Sequence, residues 1–482
     1  MIKKLLFLLI ASSISVIATE RKQPNIVLIY ADDLGFKDVG YQSGGAYQTP
    51  VIDQLAKDGM VFTDAYTNAA NCQPARACLL SGNYSPRHHV FAVQSTSRGP
   101  KNHMRLIPIP NKDGLSEDDD TIADVLKSAG YTTGHFGKWH LYQKGAEDKP
   151  SGGGALPSKQ GFDVTYDSFG DGELEEGAKG NHKGPTSDPK GVFDLSKQAC
   201  EFMEANKEKP FFVYLAHHAP HGPYQAREST RAKISDLYKA CIYDMDASVG
   251  RVLDKIKALG LENDTLVIFT SDNGGTRTQE PLRGNKGSYY EGGIREPMVA
   301  YWPGVIAAGS ECSTAVMQAD YFPTFIDLAG TTTDKTLDGE SLVPLLKQSG
   351  KLKRKSIFWH MPGYLDKPVT RGRDKIFRTR PVTVIRKGRW KLHLYHEEWV
   401  LDGGKGEIAR NNSVELYDLE TDRGEYKNLA NSNPEIRDMM VNELIKWYGV
   451  TDAPVPSEKN PDYDPKKKKK KKSKKKAKKK EK

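Results

Sequence analysis

Four short apolar runs, each followed at once by polar or charged residues, set the rhythm of the N-terminal half. Residues 25–30 run into Asp32-Asp33, and residues 131–136 into Gly137-Lys138-Trp139-His140. Residues 211–216 run into His217-His218-Ala219-Pro220-His221, and residues 266–270 into Ser271-Asp272-Asn273-Gly274. Continuous apolar runs of this length suit strands buried on both faces of a parallel sheet. Helical patterns lie between them. Ile242, Met245, Val249, Val252, Leu253, Ile256 and Leu259 recur at spacings of three and four, which predicts a helix over 236–259 stopped by Gly260. A second amphipathic segment over 121–129 stops at Gly130. Alternating helices and buried strands predict an α/β fold with a mainly parallel sheet. Ligands of such sheets bind beyond the carboxyl ends of the strands. Four ends rich in acid, His or Lys therefore predict one composite site.

Beyond residue 350 the pattern changes. Stretches 356–360, 382–385, 390–395 and 415–419 are short and partly alternating, with Gly388, Gly403-Gly404 and Asp422-Arg423-Gly424 between them. They predict a small antiparallel sheet, closed by a helix near 434–447. The expected plan is a signal peptide over 1–18, a catalytic domain over 24–350, a smaller sheet-and-helix subdomain over 351–452, and a linker with a lysine tail over 453–482.

The 482 residues are 37% hydrophobic, enough for a sizeable core and too much for a disordered chain. The net charge of +9 misleads, because residues 466–482 hold 14 Lys and one Glu, or +13. The rest carries 9 − 13 = −4, which excludes a basic body that coats nucleic acid. The tail has no apolar face with which to fold, and it reads either as a contact for a polyanion or an acidic cell envelope or as a disordered solubilising tail. At the other end, Lys3-Lys4, a mostly apolar stretch to Ala18 and small residues before Thr19-Glu20 form a secretory signal. The alternative, an uncleaved anchor, is short of the roughly 20 residues a spanning helix needs. Either way the body is expected in the periplasm or outside the cell. Export permits disulfides, but the five cysteines are odd in number and show no zinc-type spacing.

Asp32-Asp33 and Asp272-Asn273 offer hard oxygen ligands suited to Ca2+ or Mg2+. Taken singly, most such pairs are turn or capping residues. The segment from Cys72 through Pro74, Arg76, Leu79-Leu80 and Ser81-Gly82 alters that balance. It resembles the signature of the sulfatase family, Cys-x-Pro-x-Arg followed by Leu-Leu-Thr/Ser-Gly. Ala75 stands where many members have Ser, and Ser81 where Thr is common. Further stretches resemble the family in the same order: residues 25–35, Gly137–His140, Ala219-Pro220-His221-x-Pro223, Ser271–Gly274, and Gly284-Asn285-Lys286-Gly287 through Arg295-x-Pro297. The resemblance spans 24–430.

That resemblance implies an alkaline-phosphatase-like α/β/α fold and Ca2+-dependent hydrolysis of sulfate esters. It also implies that a formylglycine-generating maturation enzyme oxidises Cys72 to Cα-formylglycine. Asp32, Asp33, Asp272, Asn273 and modified Cys72 would hold the Ca2+. Arg76, one helical turn after Cys72, would stabilise the hydrated aldehyde. Lys138 and Lys286 would face the sulfuryl group, with His140 as base and His221 or Lys286 as donor to the leaving alcohol. Sulfated carbohydrates are the expected substrates. Their selectivity is expected in loops 84–112, 144–190, 360–380 and 393–411. The first holds Arg87, His88, His89, Arg98, Lys101, His103 and Arg105, which read either as a rim for anionic sugars or as a solvated loop. Two other functions share much of this pattern: a phosphoester or phosphonate hydrolase, and a non-catalytic sulfoglycan-binding protein.

Overall fold

The computed structural model describes residues 23–142, 153–167 and 186–466. The signal segment, part of loop 144–190 and nearly all of the lysine tail lie outside the described residues. Eight strands form the main sheet: β1 (Asn25–Asp32), β2 (Met60–Phe62), β3 (Thr132–Gly137), β4 (Val164–Tyr166), β5 (Phe211–Pro220), β6 (Thr265–Ser271), β7 (Val299–Tyr301) and β8 (Ser310–Cys312). Their order is β4-β3-β5-β1-β6-β7-β2-β8. Only β7 runs antiparallel to its neighbours.

The principal helices are α1 (Cys72–Ser81), α2 (Ile122–Ser128), α3 (Val192–Ala205), α4 (Leu237–Ala258), α5 (Tyr321–Leu328) and α6 (Pro434–Thr451). Ile26, Leu28 and Tyr30 of β1 share one core with Leu79, Leu126, Phe322 and Phe325. Val27, Ile29 and Ala31 share the opposite one with Met203, Ile242, Met245 and Val249. Helices thus cover both sheet faces, which is why the strand sequences are apolar throughout rather than alternating. Each buried Leu, Ile or Phe is worth about 1.5–3 kcal/mol relative to exposure. The Asp236 carboxylate caps α4 by accepting from the amides of Tyr238 and Lys239, and Thr121 and Asp124 form a capping box on α2.

The second sheet is β9 (Ser356–Met361), β10 (Val382–Lys387), β11 (Trp390–Tyr395) and β12 (Val414–Asp418), antiparallel throughout. Helix α6 lies on it, and Trp447 stacks on Phe358 with centroids 4.9 Å apart. The same core includes Tyr66, Tyr84 and Phe91 from the N-terminal half. Buried ion pairs add to this join: Asp64 meets Arg295 at 2.8 Å and Arg386 at 2.7 Å, and Lys391 meets Glu291 at 2.8 Å. Residues 453–465 do not hang free. The amide of Ile107 donates to Glu458 O at 2.8 Å, that of Asn460 to Arg105 O at 3.0 Å, and that of Asp464 to Asn102 O at 3.0 Å. The stretch is a strap laid along residues 102–107.

Six buried histidines make this fold acid-sensitive. Burial pushes His88, His217 and His360 down to about 3 and His135 to about 4, and holds His393 and His396 well below the ordinary value. Below about pH 6.5 the unfolded chain binds protons that the folded chain does not. Stability is therefore complete above that pH and falls as pH drops below it. Each group contributes up to about 1.4 kcal/mol per pH unit. The urea midpoint is expected to fall steeply between pH 7 and pH 5. A flat midpoint would show that these rings already carry protons in the fold.

Candidate active site

The carboxyl ends of β1, β3, β5 and β6 converge on the N-terminus of α1. Asp32 ends β1, and Asp33 follows it with φ +67°, a left-handed backbone that Gly adopts freely and Asp or Asn more readily than most other residues. That twist turns the two carboxylates to one side, where one oxygen of each lies within 4.8 Å of Cys72 Sγ and of the other. Asp272 follows β6, and its Oδ1 accepts from the Asp33 amide at 3.0 Å. Asn273 Nδ2 donates to Asp33 Oδ1 at 2.7 Å. Cys72 begins α1 and is buried.

Three cations offset these acids. Lys138 Nζ lies 2.8 Å from Asp32 Oδ2. It is carried there by Gly137, whose φ is +106° and whose Cβ, if present, would stand 2.0 Å from Ala216 O. Only glycine lets the end of β3 pass so close to β5. Lys286 Nζ lies 2.7 Å from Asp33 Oδ1 and 3.2 Å from Cys72 Sγ. Arg76 Nη2 pairs with Asp272 Oδ2 at 2.9 Å, both side chains being fully buried. Its Nη1 donates to Lys138 O at 2.9 Å. Arg76 thus joins the site through Asp272 and the Lys138 carbonyl.

The charges do not balance evenly. Burial would push Asp32 up, but the Lys138 ammonium leads the cations that hold it well below the usual carboxylate range. Asp33 is likewise lowered against its burial, chiefly by Lys286. Asp272 moves the other way: burial, then the charge of Asp32, pushes it well up in spite of Arg76. Asp32 Oδ1 and Asn273 Oδ1 are buried and have no hydrogen-bond partner among the described residues. Crowded carboxylates and two orphaned acceptor oxygens fit a hard cation, since unsatisfied buried acceptors are otherwise costly.

The histidines divide by position. His217 is buried against Ser248 Oγ at 3.4 Å, and His218 Nε2 sits 2.8 Å from Asp167 Oδ1. His221 instead brings Nε2 to 3.7 Å from Asp33 Oδ2. Its Nδ1–H donates to Gly222 O at 2.7 Å, which leaves Nε2 for the site. The charge of Asp32 draws the His221 ring toward protonation. Burial with the Lys138 and Lys286 cations outweighs it and brings the ring down to about 4. His140, half-buried, lies two residues beyond Lys138 with a left-handed φ of +66°. Lys190 escaped the sequence reading. It is buried, and its Nζ donates to His221 O at 2.7 Å. The unusual burial of a lysine is visible only in three dimensions.

Comparison with known proteins settles the family. Residues 24–331 match the family described as Sulfatase, and residues 285–448 match the one described as N-sulphoglucosamine sulphohydrolase, C-terminal. The chain belongs to the sulfatase family. It is a sulfuric ester hydrolase on an alkaline-phosphatase-like fold. This sulfatase is 33% identical to arylsulfatase A of Homo sapiens, over 86% of each chain. It is 29% identical to N-acetylgalactosamine-6-sulfatase of Mus musculus, over 80% of this chain and 75% of the relative. Among solved structures, Ps i-CgsB superposes with a TM-score of 0.69 at 28% identity, over 90% of this chain and 94% of that one. Ps i-CgsB is also known in complex with k-i-k-neocarrahexaose.

The basic rim differs from expectation. Arg87 is bound to Asp338 at 2.8 Å, Arg98 to Asp366 at 2.9 Å and Arg105 to Asp402 at 2.7 Å. His88 is buried with Nε2 3.4 Å from Cys78 Sγ. These four side chains are engaged in holding loop 84–112 in place. The acidic partners of the three arginines lie hundreds of residues away and are invisible to local pattern.

Proposed function

We propose that this sulfatase is exported and removes sulfate from sulfated carbohydrates. Cys72 acts after conversion to Cα-formylglycine, and Asp32, Asp33, Asp272, Asn273 and converted residue 72 hold Ca2+. The observation that carries this reading is the pair of orphaned buried oxygens, Asp32 Oδ1 and Asn273 Oδ1, in a site built around a Cys-x-Pro-x-Arg helix start. Relatives named for a sugar sulfate or solved with a carrageenan oligosaccharide support the substrate class. Bound there, Ca2+ would balance charge on the sulfate oxygens and acidify a nearby hydroxyl. A hydrated aldehyde at residue 72 has two hydroxyls, one to attack sulfur and one whose deprotonation expels sulfate and restores the aldehyde.

The other side chains supply charge and protons. Lys138 and Lys286, each held on a carboxylate, present fixed ammonium groups to the sulfuryl oxygens and need no reorganisation as charge develops there. His221 points Nε2 inward toward the departing alcohol, and Lys190 fixes its backbone; with its one proton on Nδ1, the ring must first take up a second proton, which the negative charge of bound sulfate favours, before it can give one to the alcohol. His140 serves as base on the second hydroxyl.

Two measurements test this. Protein matured with a formylglycine-generating enzyme is expected to release inorganic sulfate from a panel of sulfated oligosaccharides and an aryl sulfate. Release of phosphate from phosphate esters with no sulfate release would overturn the reading. Independently of turnover, adding Ca2+ to chelator-treated protein is expected to raise the thermal midpoint by several degrees. Saturation at 100–1,000 times Kd stabilises by about 3–4 kcal/mol. Asp32→Asn is expected to remove most of that shift. An equal shift in the variant would place the ion elsewhere.

A further inference from the structure

The rim beside Lys286 carries one guanidinium that the reaction above does not use. A short ribbon, Leu365–Asp366 paired with Phe377–Thr379, lies over the Lys286-Gly287 turn. Thr379 Oγ1 donates to Gly287 O at 2.7 Å, and Arg378 Nη1 donates to Lys286 O at 2.7 Å. Gly287 has φ +82°, and a Cβ there would stand 2.4 Å from Arg378 Cδ, so the arginine stem occupies the space that glycine leaves. Arg378 Nε donates to Lys367 O at 3.1 Å. Two carbonyls thus fix the guanidinium plane, and Nη2 remains for a ligand.

Its ion pairing differs from that of its neighbours. Arg373, Arg380 and Arg386, half-buried or buried in the same region, each pair with carboxylates. Arg98, across the ribbon, pairs with Asp366. Among the described residues no carboxylate pairs with Arg378. Burial and then the charge of Arg98 lower its pKa, outweighing the more distant carboxylates of Asp366 and Asp33 that raise it. Meanwhile the side chain of Lys286, whose carbonyl Arg378 holds, reaches Asp33 and Cys72. A half-buried, oriented guanidinium without a counter-ion is a receptor for a planar or tetrahedral oxyanion.

We infer that Arg378 binds a second anionic group of the substrate, so that preferred substrates carry a sulfate or carboxylate close to the sulfate ester that is cleaved. This rests on the reading of Cys72 and Lys286 as the sulfate-cleaving centre. The second oxyanion has two sources, another sulfate on the same sugar or the carboxylate of a neighbouring uronate.

The test compares kcat/KM of the matured enzyme on four substrates: a monosulfated sugar, its disulfated form, a monosulfated disaccharide containing a uronate, and an aryl sulfate. Wild type is expected to prefer at least one bis-anionic sugar over the monosulfated one by about 10- to 100-fold, the range of a charge-assisted hydrogen bond. Arg378→Gln is expected to bring that ratio close to one, and the arm that collapses identifies the source. A wild type without preference, or a preference intact in Arg378→Gln, overturns the inference. Should Arg378→Gln fail to fold, Arg378→Lys keeps the charge but lacks the fork, and a several-fold drop in the ratio is expected. Turnover of the aryl sulfate with an unchanged ratio refutes only the role of Arg378. Inertness of matured wild type toward all four refutes the underlying site as well.

Discussion

Cys72→Ala is expected to lower sulfate release by at least about four orders of magnitude, the scale of removing a nucleophile, while the protein still folds. Position 72 is the N-terminal residue of α1, and its Sγ meets Lys286 Nζ at 3.2 Å with Asp32 and Asp33 close by. Alanine keeps the helix start and removes the only group there that oxidation could turn into an aldehyde. Losing one thiol leaves Lys286 still bound to Asp33 at 2.7 Å, so the site stays charged and assembled. Two readouts separate the outcomes: sulfate release, and the mass of the wild-type peptide across residue 72. Wild-type activity with an unmodified thiol at residue 72 would exclude the aldehyde mechanism. Activity surviving in Cys72→Ala would move the nucleophile elsewhere.

Arg76→Met is expected to cost about 3–5 kcal/mol of stability, the price of leaving one member of a buried ion pair alone, and to reduce sulfate release about 100-fold. Methionine matches the length and keeps the packing against Tyr30, whose ring centre lies 5.1 Å from the guanidinium carbon. It strands Asp272 Oδ2, fully buried, and leaves Lys138 O without the 2.9 Å bond that aligns its strand end. Burial and Asp32 already push Asp272 toward the neutral form, and without Arg76 it protonates more readily. A neutral Asp272 is a poor ligand for a hard cation. Urea titration measures the stability term, and the Ca2+-dependent thermal shift measures the ligand term. Arg76→Lys, which keeps charge but loses the fork, should fall between the two proteins. A Met variant as stable as wild type would mean that Asp272 is neutral in the native site.

Much of the frame was legible in the chain. Residues 25–30, 211–216 and 266–270 are strands at the places read, each extended by one to four residues. The helix expected over 236–259 is Leu237–Ala258. These succeed because a strand buried on both faces, or a helix with one apolar stripe, writes its environment into consecutive residues. The ten candidate site residues came from the resemblance of their motifs to the sulfatase family, and several of them stand at or just beyond strand ends.

Opposition across space was not legible. Arg76 meets Asp272 across 196 positions, Arg87 meets Asp338 across 251 and Arg105 meets Asp402 across 297. Local pattern let Arg87 and Arg105 read either as a basic rim or as a solvated loop, and the fold pairs them with carboxylates. Lys190 looked like loop and is buried under His221. Arg378 lay in loop 360–380, one of the four stretches expected to govern substrate choice, and only its lack of a paired carboxylate among the described residues singles it out. By itself the sequence determined the layers, the strand ends and the kinds of groups gathered there, because periodicity and motif spacing are local. Tertiary structure decided which charges cancel and which remain, because Coulomb interactions depend on distance through space and are indifferent to distance along the chain.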